Sequence, residues 1–320
     1  MKKKFLSFLL TCFLLSGCSN TSENKESWDV LPPNAANRML SYAAELCKIS
    51  PRDSGTPGAA KASRWLVQTI QGMGAEPIVD CWIENTLFGK TSFCNVYVDF
   101  PGTSGQTIIL ASHYDTKHGI PNFQGANDGA SSTGMLLGLI ECFLKNPPQV
   151  KDTIRFAFLD GEECRGGSYK PDDGLHGSNH LAEYYASLPK TPVPLLAFIL
   201  FDMIGDRDLA IDLPRNVTPW LGKAAMIASH ERKDCPTVSL ETMVIIDDHL
   251  PFLNQGFSAI DFIDFTYGSK PGSHDYWHTS EDSIDKISAK SLQQAGTLAL
   301  ALLARIEKGT EVPKELRPEN

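Results

Sequence analysis

Between residues 107 and 231 the chain alternates short, almost wholly apolar runs with longer segments in which apolar residues recur at helical spacing. The runs 107–111, 154–159 and 195–202 predict strands. The segments 133–144, 178–186 and 217–231 predict helices between them. A strand that shows no polar alternation is buried on both faces, and its regular exchange with helices is the rhythm of βαβ units. Upstream, residues 35–49 form a first predicted helix that stops before Pro51. Residues 59–72 form a second, with Thr56 as its cap and Pro57 in its first turn. Residues 82–84 and 95–100 read as strands, and the alternating polarity of the latter places it near a sheet edge. A short helix starts at Asp248, residues 259–265 form a last strand, and the Ala/Leu-rich stretch 287–306 closes the chain as a helix. The pattern predicts a single α/β domain: a mostly parallel, doubly wound central sheet flanked by helices.

The chemistry collects where these runs end. Strand 107–111 leads into His113-Tyr114-Asp115, and strand 154–159 into Asp160-Gly161-Glu162-Glu163. Strand 195–202 closes on Asp202-Met203-Ile204-Gly205, a small-residue turn carries Asp128, and Tyr276-Trp277-His278-Thr279 follows a Gly/Pro-rich loop. A glutamate pair by itself reads as a solvated turn. Its recurrence with Asp and His at other strand ends is what changes that reading. Histidine plus carboxylates with no cysteine is the ligand set of a catalytic zinc that keeps an open position. An open α/β sheet binds its ligands outside the carboxyl ends of its strands, which is where these residues fall. Glu162 and Glu163 project in opposite senses, so one can hold a metal while the other moves protons.

The N-terminus adds a destination. Lys2, Lys3 and Lys4 precede an apolar stretch, residues 5–15, too short to span a membrane as a mature helix. Leu15-Ser16-Gly17-Cys18 resembles a bacterial lipobox, which implies removal of residues 1–17 as a lipoprotein signal peptide and lipidation of Cys18; a plain secretory signal is the alternative. Either way the chain is exported. Ser19 after the cysteine favours, by the same resemblance, the outer membrane facing the periplasm. Loss of the leader takes the 29 basic residues to 26 against 38 acidic, a net charge near −12, which makes nucleic acid an unsuitable partner. Residues 18–33 read as a polar tether, 34–309 as the catalytic domain and 310–320 as a tail. Cys47, Cys81, Cys94, Cys142, Cys164 and Cys235 show no metal-type spacing. Cys81 and Cys94 on neighbouring strands either pair or remain buried thiols.

In this order the motifs resemble the co-catalytic zinc aminopeptidase family and, in its wider clan, the glutaminyl-peptide cyclotransferases, from about residue 35 to residue 306. In the aminopeptidases the positions matching His113, Asp128, Glu163, Asp202 and His278 hold two metals, with Asp128 bridging and Glu162 as general base toward water. In the cyclases one zinc is held by the positions of Asp128, Glu163 and His278, and Asp202 joins a hydrogen-bonded network with Asp247. Three features favour the cyclases: the doubled Asp247-Asp248 before His249-Leu250-Pro251-Phe252-Leu253, Trp277 ahead of His278, and the stretch 173–182. Three depart from the animal cyclases. The turn 126–132 has the peptidase form, Ser112 and Thr133 stand where those enzymes carry a disulfide, and Asp261 replaces a histidine.

The resemblance implies cyclisation of N-terminal glutaminyl residues of peptides or proteins to pyroglutamate with release of ammonia. Glu162 would carry the proton, Asp202 and Asp247 would share another, and Trp277 and Tyr169 would wall the substrate pocket. The first alternative is a dinuclear zinc aminopeptidase, using His113 and Asp202 for the second metal. The second is a lipoprotein that binds peptide or metal without turnover. His118, His176, His180, His230 and His274 carry no functional expectation, whereas His249 is a candidate to orient Asp247 or Asp248.

Overall fold

The computed structural model describes residues 27–191 and 193–316. The signal peptide, Cys18 and part of the tether lie outside the described residues, as do residues 317–320 of the tail.

One eight-stranded sheet forms the middle layer, comprising β1 (Ile78–Thr86), β2 (Gly89–Phe100), β3 (Thr107–His113), β4 (Thr153–Leu159), β5 (Leu195–Asp202), β6 (Ile211–Leu213), β7 (Val238–Leu240) and β8 (Ala259–Ile263). Their spatial order is β1-β2-β4-β3-β5-β8-β6-β7. The central four, β4-β3-β5-β8, are parallel, as their continuous apolar runs predict. The margins are not: β1 and β2 run antiparallel to each other, β2 is antiparallel to β4, and β6 to β8. The sheet is therefore mixed. The reason lies in the connections, since β1 and β2 are joined by a tight hairpin at Leu87-Phe88, which can only reverse the chain.

Among the described residues seven α-helices cover the sheet: α1 (Ala35–Cys47), α2 (Pro57–Met73), α3 (Ala130–Lys145), α4 (His176–Ser187), α5 (Pro219–Glu231), α6 (Leu250–Asn254) and α7 (Ala289–Lys308). Alternate side chains of each central strand feed opposite layers, as a period of two requires. From β3, Ile108 and Leu110 join the core beneath α1, α2, α3, α5 and α7. Ile109 and Ala111 join the one beneath α4 and α6. The expected cap is present: Thr56 Oγ1 accepts the Ala59 N–H at 3.3 Å, and Gly74 ends α2 in the left-handed conformation. Helix α3 begins at Ala130, three residues ahead of the predicted start, because Ser131 and Ser132 are buried helix residues and not part of a turn. Its Gly134 lies so close to α1 that a Cβ would stand 2.6 Å from the Met39 carbonyl oxygen, which is what lets the two helices pack backbone to backbone.

The β1–β2 hairpin is fastened twice. Cys81 and Cys94, register partners, form a disulfide, while Cys47, Cys142, Cys164 and Cys235 are free. On the outer face the rings of His180, Trp82, Phe93 and His176 form a column, with centroids 3.9, 5.7 and 4.3 Å apart. His176 Nδ1 also meets Glu84 at 2.7 Å and His180 Nε2 meets Asp80 at 3.1 Å. These two histidines fasten α4 to the hairpin.

Candidate active site

The carboxyl ends of β3, β4 and β5 point to one side of the sheet, and each delivers a site residue there. His113 is the last residue of β3, Asp202 the last of β5, and Glu162 and Glu163 follow β4 by three and four residues. The turn out of β4 needs Gly161 at φ 76°, since a Cβ there would sit 2.7 Å from the Phe93 ring. His278 itself has φ 54° and Met203, next to Asp202, has φ 47°. Left-handed backbone at a non-glycine residue is strained, and here it marks two residues held in place by the site around them.

Two triads of ligand-type atoms assemble. His113, Asp128 and Asp202 form one, and Asp128, Glu163 and His278 the other, each with its atoms within 4.8 Å of one another. Asp128 belongs to both. Its Oδ1 is 3.2 Å from His113 Nε2, and its Oδ2 is 3.5 Å from His278 Nε2. His278 Nε2 also lies 3.1 Å from Glu163 Oε1, and His113 Nε2 lies 3.2 Å from Asp202 Oδ1. Asp128 Oδ2 is buried and makes no hydrogen bond. A buried carboxylate oxygen without a donor, facing a histidine nitrogen and a second carboxylate in a donor set without cysteine, fits a zinc ion. The fit is to the donor set and its spacing, and it holds for the sequence-derived trio Asp128, Glu163 and His278.

Burial of so many acids at one place sets their proton affinities. Burial, then Glu163 and Asp247, push the Glu162 carboxyl well above the usual range. Burial and the charge of Asp128 raise Glu163 to about 7. Asp247 rises well above the usual range through burial and the nearby Asp261 and Asp202. Asp128 goes the other way: against the cost of burial, the hydrogen bond from His113 and the charge of His278 hold it low.

Residues absent from the expected set hold the site together. Asp115 accepts the backbone N–H groups of both Glu162 and Glu163 at 3.2 Å and the Ser54 hydroxyl at 3.0 Å. It was visible in the sequence as a ligand-type residue, yet it positions the glutamate pair. Asp282 accepts the N–H groups of Asn127 and Asp128 at 2.7 and 3.1 Å and the Tyr267 hydroxyl at 2.8 Å, so it pins the Asp128 turn. Its only sequence signal is that it follows His278 by four positions. Arg52, fully buried, donates to the carbonyls of Tyr114 and Gly125 at 2.6 and 2.8 Å. Where a disulfide was missing, hydroxyls meet: Ser112 Oγ is 2.8 Å from Ser132 Oγ and 3.0 Å from Thr133 Oγ1. They tie the end of β3 to α3.

A cavity of about 410 Å³ opens over the site, and its walls include Asp128, Glu162, Glu163, Asp202, Asp247 and His278. Trp277 and Tyr169 also line it. Trp277 stacks on the His278 ring at 4.0 Å. His113 lies beneath the floor, buried, and is not part of the wall. His249 turns away from Asp247. Its Nε2 pairs with the Asn216 amide at 2.9 Å, while its Nδ1 lies 3.8 Å from Asp261 Oδ2 and makes no hydrogen bond. A larger cleft, about 760 Å³, runs between α2 and the β1–β2 hairpin, and among its described wall residues Asp160 is the one acid and none is a histidine. Size alone does not locate the chemistry, and the smaller cavity holds the donors.

Residues 95–303 match Peptidase family M28. The glutaminyl-peptide cyclotransferase of Boiga irregularis is 27% identical over 278 residues, covering 75% of this chain and 73% of that protein. The crystal structure of an Acidobacteriales bacterium glutaminyl cyclase is similar at 34% identity with a TM-score of 0.79, covering 88% of this chain and 97% of that one. A Zn-dependent exopeptidase from Parabacteroides distasonis shares the fold at 22% identity and a TM-score of 0.71, covering 86% of this chain and 99% of that one. The chain belongs to peptidase family M28, and within that family's zinc-dependent fold it is similar to the glutaminyl cyclases.

Proposed function

We propose that this protein is a zinc-dependent glutaminyl-peptide cyclotransferase, which converts the N-terminal glutaminyl residue of a peptide to pyroglutamate and releases ammonia. The observation that carries the reading is the one-sided exposure of the ligands. Asp128, Glu163 and His278 all face the cavity together with Glu162, whereas of the other triad Asp128 and Asp202 face it and His113 is buried away from the wall. One ion facing one cavity suffices for a reaction that needs no water nucleophile. When bound by Asp128, Glu163 and His278, a zinc supplies Lewis-acid polarisation of the substrate's side-chain amide oxygen.

The remaining work falls to side chains. The α-amine nitrogen attacks the side-chain amide carbon; that C–N bond forms, the bond to the amide nitrogen breaks, and the nitrogen leaves as ammonia. Glu162, on the cavity wall and held through its own N–H by Asp115, takes the proton from the amine and returns it to the departing nitrogen. Asp202 and Asp247 both line the cavity, and burial together with the charges of Asp261 and Asp202 raises the proton affinity of Asp247, so Asp247 is the acid that would carry a proton beside the reacting amide. Trp277 and Tyr169 close the sides of the pocket and reduce water access.

A dinuclear aminopeptidase is the second reading, and the completeness of the His113, Asp128 and Asp202 triad is what favours it. Metal analysis of the purified protein together with two substrates separates them. The expected outcome is about one tightly bound zinc per chain, ammonia from a Gln-peptide and no hydrolysis of a Leu-arylamide. About two zincs with arylamide hydrolysis would replace the cyclase reading with the peptidase one.

Export and lipid attachment at Cys18 complete the proposal. The leader composition supports it, and the Cys81–Cys94 disulfide suits an oxidising compartment. The mature protein should carry fatty acyl chains by mass spectrometry, and Cys18→Ser should abolish them. An acyl-free wild-type protein beginning elsewhere would remove the anchor from the account.

A further inference from the structure

The mouth of the cavity is apolar where its floor is acidic. Met243, Val244 and Ile246 are 50, 53 and 48% exposed, yet all three line the cavity, beside Trp277 at 37%. Single exposed apolar side chains need no account, but several together at the rim of a polar cavity mark a binding surface. Their segment, between β7 and Asp247, is not loose. Glu241 N–H donates to Leu213 O at 2.9 Å and Arg215 N–H to Met243 O at 2.8 Å. The Asn216 side chain grips Ile245 on both sides, donating to its carbonyl at 2.8 Å and accepting from its N–H at 3.0 Å. The wall is thus held by its backbone while its side chains remain open to solvent, a pre-organised arrangement that costs little ordering when something binds.

We propose that Met243 and Val244 form a subsite for the side chain of the substrate's second residue, and that they select apolar and aromatic residues there. The inference rests on the cyclase reading. In that reaction the glutaminyl side chain and α-amine occupy the carboxylate-lined floor, so the peptide must leave through the mouth, past this wall. Among the described wall residues the carboxylates lie at the floor, at Asp128, Glu162, Glu163, Asp202 and Asp247, and the basic groups Lys117 and His278 stand with them there, not beside Met243 and Val244. An acidic second residue meets repulsion from below and no cation on the apolar side. A phenylalanine or leucine there covers Met243 and Val244 and removes their surface from water.

The test is kcat/KM for ammonia release from a peptide series that differs only in the second residue: Gln-Phe, Gln-Leu, Gln-Gly and Gln-Glu. The wild-type protein should favour Gln-Phe over Gln-Gly roughly tenfold, the lower end of what an apolar contact discriminates. Gln-Glu should fall below Gln-Gly. In Met243→Ser/Val244→Ser the Gln-Phe to Gln-Gly ratio should drop toward unity through a higher KM for Gln-Phe. If that variant does not fold, Val244→Thr, which keeps shape and removes apolar surface, should lower the ratio by about twofold to threefold. Equal kcat/KM across the series, or an unchanged ratio in the variants, overturns the subsite and leaves the reaction standing. No ammonia from any of the peptides overturns the reaction and the subsite with it.

Discussion

Glu162→Gln lowers ammonia release from a Gln-peptide by about 10²–10⁴-fold, the usual contribution of a positioned acid–base group, while zinc content stays at the wild-type level. The two halves of this expectation come from different observations. Activity falls because Glu162 lies on the cavity wall with its backbone anchored to Asp115, so nothing else is placed to accept the amine proton in the same position. Zinc stays because Glu162 belongs to neither ligand triad, and the amide of Gln fills the same space. Glu163→Gln is the contrast: it removes a ligand and should lose the metal along with the activity. The pair of measurements is ammonia release and bound metal. Retained turnover in Glu162→Gln would take the proton carrier elsewhere, and lost zinc would make Glu162 a ligand.

Arg52→Met is expected to cost about 3–5 kcal/mol of stability, the scale of removing one member of a buried charged network. Arg52 has no exposed surface, and its guanidinium donates to the carbonyls of Tyr114, Gln124 and Gly125. Each carbonyl left without a donor costs about 1–3 kcal/mol, and methionine replaces none of the three bonds. The charge matters as well. Burial lowers the pKa of Arg52, while the fields of Asp282, Asp128 and Asp115 favour its charged form, so it is a fixed cation beneath an acidic site. Urea unfolding of the zinc-loaded and chelated forms measures the effect. A loss below about 1 kcal/mol in both would mean that water or a shifted side chain takes over the donors.

Much of this architecture is written in one dimension. Strands β3, β4 and β5 are legible because a strand covered on both faces reads as an uninterrupted apolar run, and their ends are legible because the run stops at Asp, Glu or His. Helix α2 is legible from Thr56 and Pro57, since a cap works through neighbours in sequence. Strands β6 and β7 are not, being three residues each, too short to show a period against their surroundings. The pairing direction of β1, β2 and β6 is likewise invisible, because direction belongs to the connection and not to the strand.

The site divides along the same line. The chain by itself determined which residue types stand at the strand ends, and therefore that zinc and acid–base chemistry were available to Asp128, Glu162, Glu163, Asp202 and His278. Only the tertiary structure decided that Asp115 and Asp282 support the site through backbone N–H groups, that Arg52 lies buried under it, that His249 faces Asp261, and that His113 sits below the floor of the cavity. Ligand type is a property of single side chains and survives in sequence. Which face of the metal position is open, and what holds each ligand in place, depends on elements far apart in the chain coming into contact, and that information exists only once they have packed.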